Sequence, residues 1–156
     1  MDLTKKQSFK KIIISLVLVF LASLIILFLL RRDAHETSIN QVILGGQAFS
    51  VELALSPEQH YQGLSDRASL CADCGMLFLF NNRSQRSFVM RKMLFPLDII
   101  FIDGETVVDI YKNLTPEGPV PQNSYSSSRP VDKVLELNGG RAAELGLKIG
   151  DNIILK

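Results

Sequence analysis

The run from Ile12 to Leu30 has nineteen residues, of which only Ser15 and Ser23 are polar, and beyond it the apolar positions fall into short segments separated by Gly, Pro, Asn and Asp. At about 1.5 Å per residue, a run of this length spans the roughly 30 Å core of a bilayer, so it predicts one transmembrane helix. The later segments predict strands. "QVIL" and "AFSVELAL" flank Gly45-Gly46, a hairpin signature, and in the second segment Phe49, Val51, Leu53 and Leu55 alternate with Ser50, Glu52 and Ala54. That alternation buries one face and wets the other.

In "SPEQHYQG", Ser56 is placed to cap a helix, with Pro57 at its first position, Gln59 three residues after the cap and Gly63 as the stop. Strands are expected in "MLFLF" (Met76 to Phe80), "SFVM" (Ser87 to Met90) and "LDIIFID", the last turned at Asp103-Gly104 into "ETVVDIYKN". From Leu114 to Pro130 the pattern dissolves into a stretch with four prolines, which is expected to be a binding loop roofing a cleft. "VDKVLEL", a short helix "RAAELG" and a last strand "DNIIL" follow. Seven or eight short strands with two short helices predict a mainly β (α+β) fold, a compact antiparallel barrel-like or sandwich-like domain behind one N-terminal transmembrane helix.

Charge orients this plan. Lys5, Lys6, Lys10 and Lys11 precede the apolar run and Arg31 and Arg32 follow it, which favours a cytoplasmic N-terminus and an extracytoplasmic soluble part. A cleaved signal peptide competes, but "LFLLRRDAHE" offers no small-residue cleavage site. The expected organisation is a basic cytoplasmic segment 1–11, a signal anchor 12–30, a linker 31–40 and a single β-rich domain 41–156. From Asp33 onward eleven Lys and Arg stand against fifteen Asp and Glu, a net charge of minus four, so there is no basic footprint for nucleic acid.

The chain has two cysteines, Cys71 and Cys74, for which a local disulfide is expected outside the cytosol. No metal site is expected, because His35 and His60 have no ligand spacing with them.

The sharpest feature is Asp98, a carboxylate inside "FPLDIIFID". A buried charge needs a partner, and Arg67 and Arg91 are the basic candidates. Either an Asp98–Arg67 pair pins the capped helix to the sheet, or Asp98 faces a ligand. Glu136, between Leu135 and Leu137, is expected to point out into solvent, or else to join Asp98 in a cleft. Met90 and Tyr125 could supply apolar contact, completing a ligand-binding set of Arg67, Met90, Arg91, Asp98, Tyr125 and Glu136. No catalytic residue is assigned and no cofactor is implied, since no G-x-S-x-G, no H-E-x-x-H and no phosphate loop is present.

In order and spacing, "SPEQHYQGLSDRASL", "GMLFLF", "SFVMRKMLFPLDIIFID", "VLELNGG" and "LGLKIGDNIIL" together resemble the family called domain of unknown function one-nine-two, over nearly all of Val42 to Leu155. The resemblance implies a compact β-rich fold, often behind a signal or anchor, and no established activity. Where that family usually reads F-W-M-K, this chain has Phe88, Val89, Met90 and Arg91, and the cysteine pair lies outside the usual pattern.

The expected function is a membrane-tethered, extracytoplasmic binding or accessory domain for carbohydrate or cell-wall material. The partners then are the membrane, through 12–30, and a glycan or an envelope protein. The alternatives are a small hydrolase using Asp98 and Glu136 as acid and base, and a structural partner domain of the envelope.

Overall fold

The structure is a computed structural model that describes residues 16–23 and 39–156, and the chain divides into two units, Met1–Thr37 and Ser38–Lys156. In the first unit residues 16–23 form a helix, α1, with exposed side chains. The rest of the expected 12–30 helix lies outside the described residues, among which no helix is long and apolar enough to cross a membrane.

The second unit is mainly β. Its elements are β1 (Gln41–Leu44), β2 (Gln47–Ala54), α2 (Pro57–Gln62), β3 (Cys74–Ser84), β4 (Ser87–Phe88), β5 (Leu97–Asp103), β6 (Thr106–Leu114), β7 (Tyr125–Ser126), β8 (Val131–Asn138), α3 (Arg141–Glu144) and β9 (Ile153–Leu155). Seven strands form one curled sheet in the order β6-β5-β8-β3-β2-β1-β9, while β4 and β7 make a separate two-stranded ribbon. The two edges of the curled sheet meet at a single bridge between Thr106 and Asn152, where the Ile153 amide donates to the Glu105 carbonyl at 2.8 Å. The sheet is thus a barrel closed at one corner, and closure removes edge strands that would otherwise pair with other chains.

All but one of the pairings in the seven-stranded sheet are antiparallel. The exception is β2 with β3, which run parallel because α2 and the segment after it carry the chain back across the sheet. The alternation in β2 holds through Leu53, but Ala54, expected to be wet, is fully buried in the core on the opposite face, and Leu55 lies beyond the strand end and is exposed. The strand expected over Met76 to Phe80 is longer, since β3 runs on through "NNRS" to Ser84, with a register shift after Leu79. "SFVM" yields only the two residues of β4, which pair with β7 inside the stretch expected to be structureless.

Two apolar cores lie on opposite faces of the sheet. Leu77, Ile100, Ile102, Leu135 and Leu137 fill the barrel with Phe49 and Leu147. Their neighbours along the strands, Phe78, Ile99, Phe101 and Val134, face outward and are covered by Leu64, Met90 and Met93. Because both faces are covered, β5 is apolar without alternation except at Asp98, and Leu97 to Ile102 are all buried. Every residue of both cores lies within Ser38–Lys156, so this unit carries a complete interior of its own.

Candidate functional site

Asp98 is on the inward face of β5, fully buried, and it binds backbone. Its Oδ1 accepts from the Asn113 amide at 2.6 Å and the Gly140 amide at 3.0 Å, and its Oδ2 accepts from the Ala142 amide at 2.6 Å. Helix α3 has Gly140 at its N-cap, with a left-handed φ of 95° and no side chain to cap with. Asp98 supplies the missing oxygens from across the sheet, satisfying amides that a helix start leaves without partners. The expected Asp98–Arg67 pair is not formed, because three N–H donors already solvate the carboxylate.

Arg67 instead makes a two-pronged ion pair with Glu52 of β2, its Nη2 donating to Oε2 at 2.8 Å. The guanidinium holds the Glu52 carboxyl below the usual carboxylate range. This pair ties the segment after α2 to the sheet, the task expected of Asp98.

Glu136 is the buried acid without such support. It sits in register with Met76 of β3 and Ile99 of β5, on the outward face of the sheet. That face was expected to be wet, yet Glu136 is only 5% exposed, because α2 and the segments after it cover the face with the second core. Its Oε2 is buried without a hydrogen-bond partner. Burial pushes the Glu136 carboxyl up to about 8, and the charge of Arg67 offsets only part of that push. At neutral pH the group is therefore chiefly the uncharged acid, able to donate a proton into a hydrogen bond and to accept one.

Over Glu136 lies a cavity of about 500 Å³, within the range of about 300–1,000 Å³ that small-ligand sites occupy. Helix α2 supplies His60 and Tyr61, β3 supplies Phe78 and Phe80, and the segment around β4 supplies Arg86 and Phe88. Gly63 ends α2 with a φ of 49°, and a Cβ placed on it would come within 3.9 Å of Glu136 Oε2. The absent side chain keeps the space over the carboxyl open.

Two cations in the lining are held in place. The Arg86 guanidinium lies 3.9 Å over the Phe80 ring, and its Nη2 donates to the Asn82 carbonyl at 2.8 Å and to Asn82 Oδ1 at 2.7 Å. Its Nε is buried without a partner. The Arg91 guanidinium lies 3.8 Å over the Tyr61 ring and donates to the Tyr61 carbonyl. Among the described residues four buried side-chain polar atoms lack a hydrogen bond, one of them, Asp103 Oδ1, being ion-paired with Arg83, and two others, on Glu136 and Arg86, belong to residues lining this one cavity.

Of the six residues the sequence offers for a ligand, Arg91 and Glu136 line the cavity, and the other four lie elsewhere. Met90 is fully buried in the second core. Tyr125 is in the β4–β7 ribbon, its ring 5.3 Å from that of Tyr111. Asp98 and Arg67 are engaged as described. The stretch Leu114 to Pro130 does not roof this cavity; its Pro116 to Pro119 line a separate one with Leu94. His60, Phe80 and Arg86 were not legible as site residues, and the one available signal was that "QHYQG" and "NNRSQR" frame the same aromatic strand.

Cys71 and Cys74 form a disulfide at the start of β3. Among the described residues no group of three or more His, Cys, Asp or Glu side chains is placed to hold a metal ion.

A family model described as "Uncharacterized ACR" matches residues 40–155. No curated protein matches the chain. Two solved structures are similar to it. A crystal structure of a candidate transcription regulator from Sinorhizobium meliloti 1021 is 34% identical with a TM-score of 0.67, covering 74% of this chain and 90% of its own. A protein of unknown function from Novosphingobium aromaticivorans DSM 12444 is 35% identical with a TM-score of 0.69, covering 77% of this chain and 89% of its own.

Proposed function

The chain belongs to the DUF192 family, whose function is not established, and from that premise we propose that it is a membrane-tethered, extracytoplasmic binding domain. Its ligand, in this reading carbohydrate or cell-wall material, enters the cavity over Glu136. The observation that carries the reading is the convergence of two unpartnered buried polar groups, Glu136 Oε2 and Arg86 Nε, on residues of one aromatic-walled cavity. Leaving such groups unpaired costs about 1–3 kcal/mol each, a cost that a ligand bonding to them recovers. Aromatic rings with a few fixed polar groups suit the apolar faces and hydroxyl edges of sugars.

Tethering rests on the nineteen-residue apolar run and its basic flanks, and the disulfide suits an oxidising compartment. Catalysis by an Asp98–Glu136 pair has no geometric support, because the two carboxyls face opposite sides of the sheet. Docking on an envelope protein is a second reading, favoured by the exposed side chains of Leu94, which lines the smaller cavity, and of Val120, which follows its lining residue Pro119 in the chain.

The test is a screen of the fragment Ser38–Lys156 against glycans and cell-wall fragments by thermal shift and amide NMR. A ligand at about a hundred times its Kd should stabilise the fold by about 2.7 kcal/mol, with perturbed amides at Gly63, Ser65 and Gln85 to Arg91. Perturbations confined to other surfaces, or no ligand in the panel, would overturn the assignment. For the tether, deletion of 12–30 should move the full chain from the membrane fraction to the soluble one.

A further inference from the structure

Resting on the reading that the Glu136 cavity takes a ligand, we propose that the ligand is a sugar acid, a hydroxylated carboxylic acid of monosaccharide size. Arg86 and Arg91 meet its carboxylate, and Glu136 bonds its hydroxyl edge.

The charge of the lining carries the inference. Glu136 is the only acidic residue among the lining residues, and Arg86 and Arg91 are both cations. With Glu136 uncharged, the cavity presents two positive groups and no negative one. A cationic ligand would be repelled by both guanidiniums, a neutral one would leave them uncompensated, and an anion complements them.

Each guanidinium is already oriented. Arg86 is fixed by Asn82 and stacked on Phe80, and Arg91 is fixed by the Tyr61 carbonyl and stacked on Tyr61. Little side-chain entropy is left to lose on binding, and a planar fork matches a carboxylate. The Nε–H of Arg86 has no protein acceptor, so a ligand oxygen is its natural partner.

The hydroxyl character of the ligand follows from the rest of the lining. The half-buried rings of Phe80 and Phe88 line the cavity, and the Ser65 hydroxyl, which donates to the Arg91 carbonyl, and the Gln85 side-chain carbonyl offer acceptor oxygens. The Glu136 carboxyl does the same from the floor of the cavity.

Protonation of Glu136 couples this site to pH. The charged and titratable groups around it are Arg67 after α2, itself paired with Glu52 of β2, His60 and Tyr61 on α2, and Arg86 and Arg91 on the segment around β4. Its strand neighbours, Met76 on β3 and Ile99 on β5, carry no charge. Once Glu136 ionises, it places a negative charge in the same cavity as the bound carboxylate and no longer donates to the hydroxyl edge. Affinity for the acid should therefore fall as pH rises through about 8.

Calorimetry on Ser38–Lys156 with matched probes tests this: N-acetylmuramic acid against N-acetylglucosamine, and D-glucuronate against D-glucose, at pH 6 and pH 9.5. At pH 6 the acid of a pair should bind at least about tenfold tighter than its neutral partner, and at pH 9.5 this preference should shrink by a similar factor. Glu136→Gln, which cannot ionise, should flatten the pH dependence. Arg86→Met should erase the preference for the acid and Arg86→Lys should keep part of it; if the first variant does not fold, Arg91→Met reads the same term. Equal binding of acid and neutral probes overturns the charge assignment and leaves the cavity reading standing. Binding of neither pair, where the NMR screen finds another ligand in the cavity, overturns the sugar acid alone. Silence in both experiments overturns both.

Discussion

Asp98 and Glu136 lie on neighbouring strands one register step apart, Asp98 opposite Leu137 and Ile99 opposite Glu136, and their side chains leave opposite faces of the sheet. One carboxylate closes the barrel end by gathering three amides, and the other floors a cavity with an oxygen unpaired. The same residue chemistry is thus put to two uses by the two-residue period of a strand.

Replacing Asp98 by Asn should destabilise the domain without touching the cavity. Asn has one acceptor oxygen where Asp98 uses two, and its NH2 group would face either the Ala142 N–H or those of Asn113 and Gly140. Hydrogen bonds to charged groups contribute about 1.5–3 kcal/mol each, so a loss of about 2–4 kcal/mol is expected. Urea unfolding of Ser38–Lys156 measures it, and an unchanged midpoint would refute the role.

The pH dependence of stability should carry the signature of Glu136. Its folded carboxyl stands at about 8, above the 4.5 of an ordinary glutamate, so between those values the folded state holds a proton that the unfolded chain has released. Stability should therefore fall as pH rises from about 4.5 to 8, by up to about 1.4 kcal/mol per pH unit, and level off above. Glu136→Gln should lack this slope, and parallel wild-type and variant curves would contradict the assignment. Arg67→Ala should move the Glu136 titration higher still, because the Arg67 charge favours the ionised form. Carboxyl NMR titration reads that shift directly.

Gly75→Ala should be costly for steric reasons. A Cβ at this position would stand 2.8 Å from the Glu136 carbonyl oxygen and 2.8 Å from Leu137 Cδ2. The backbone of β8 cannot withdraw without losing its pairing to β3, so about 1–3 kcal/mol of destabilisation is expected. Thermal unfolding of the fragment provides the check, and a stable variant would show that β8 can shift.

Removing the disulfide with Cys71→Ser and Cys74→Ser should cost only about 2 kcal/mol, since it closes a very short loop. The domain should remain folded at 25 °C, as both cores lie outside the loop. Circular dichroism showing an unfolded double variant would place far more of the stability in this bridge than a short loop allows.

The local code determined the local elements. The Ser56 and Gln59 capping box, the Gly45-Gly46 hairpin and the apolar run of β5 around Asp98 each rest on neighbours a few residues apart, and each is present in the structure. The mainly β character followed from the same short-range signals. What covers each face of the sheet could be decided only by tertiary structure. The alternation of β8 fixes that Glu136 faces away from Leu135 and Leu137, but it cannot state that a helix and two segments distant in sequence close over it. Burial is a property of those distant neighbours, and burial raises the Glu136 carboxyl and leaves its oxygen unpaired. Asp98 is the converse case: its misplaced charge was visible in "PLDIIFID", while its partners are backbone amides, which every residue but proline carries and no sequence pattern can single out.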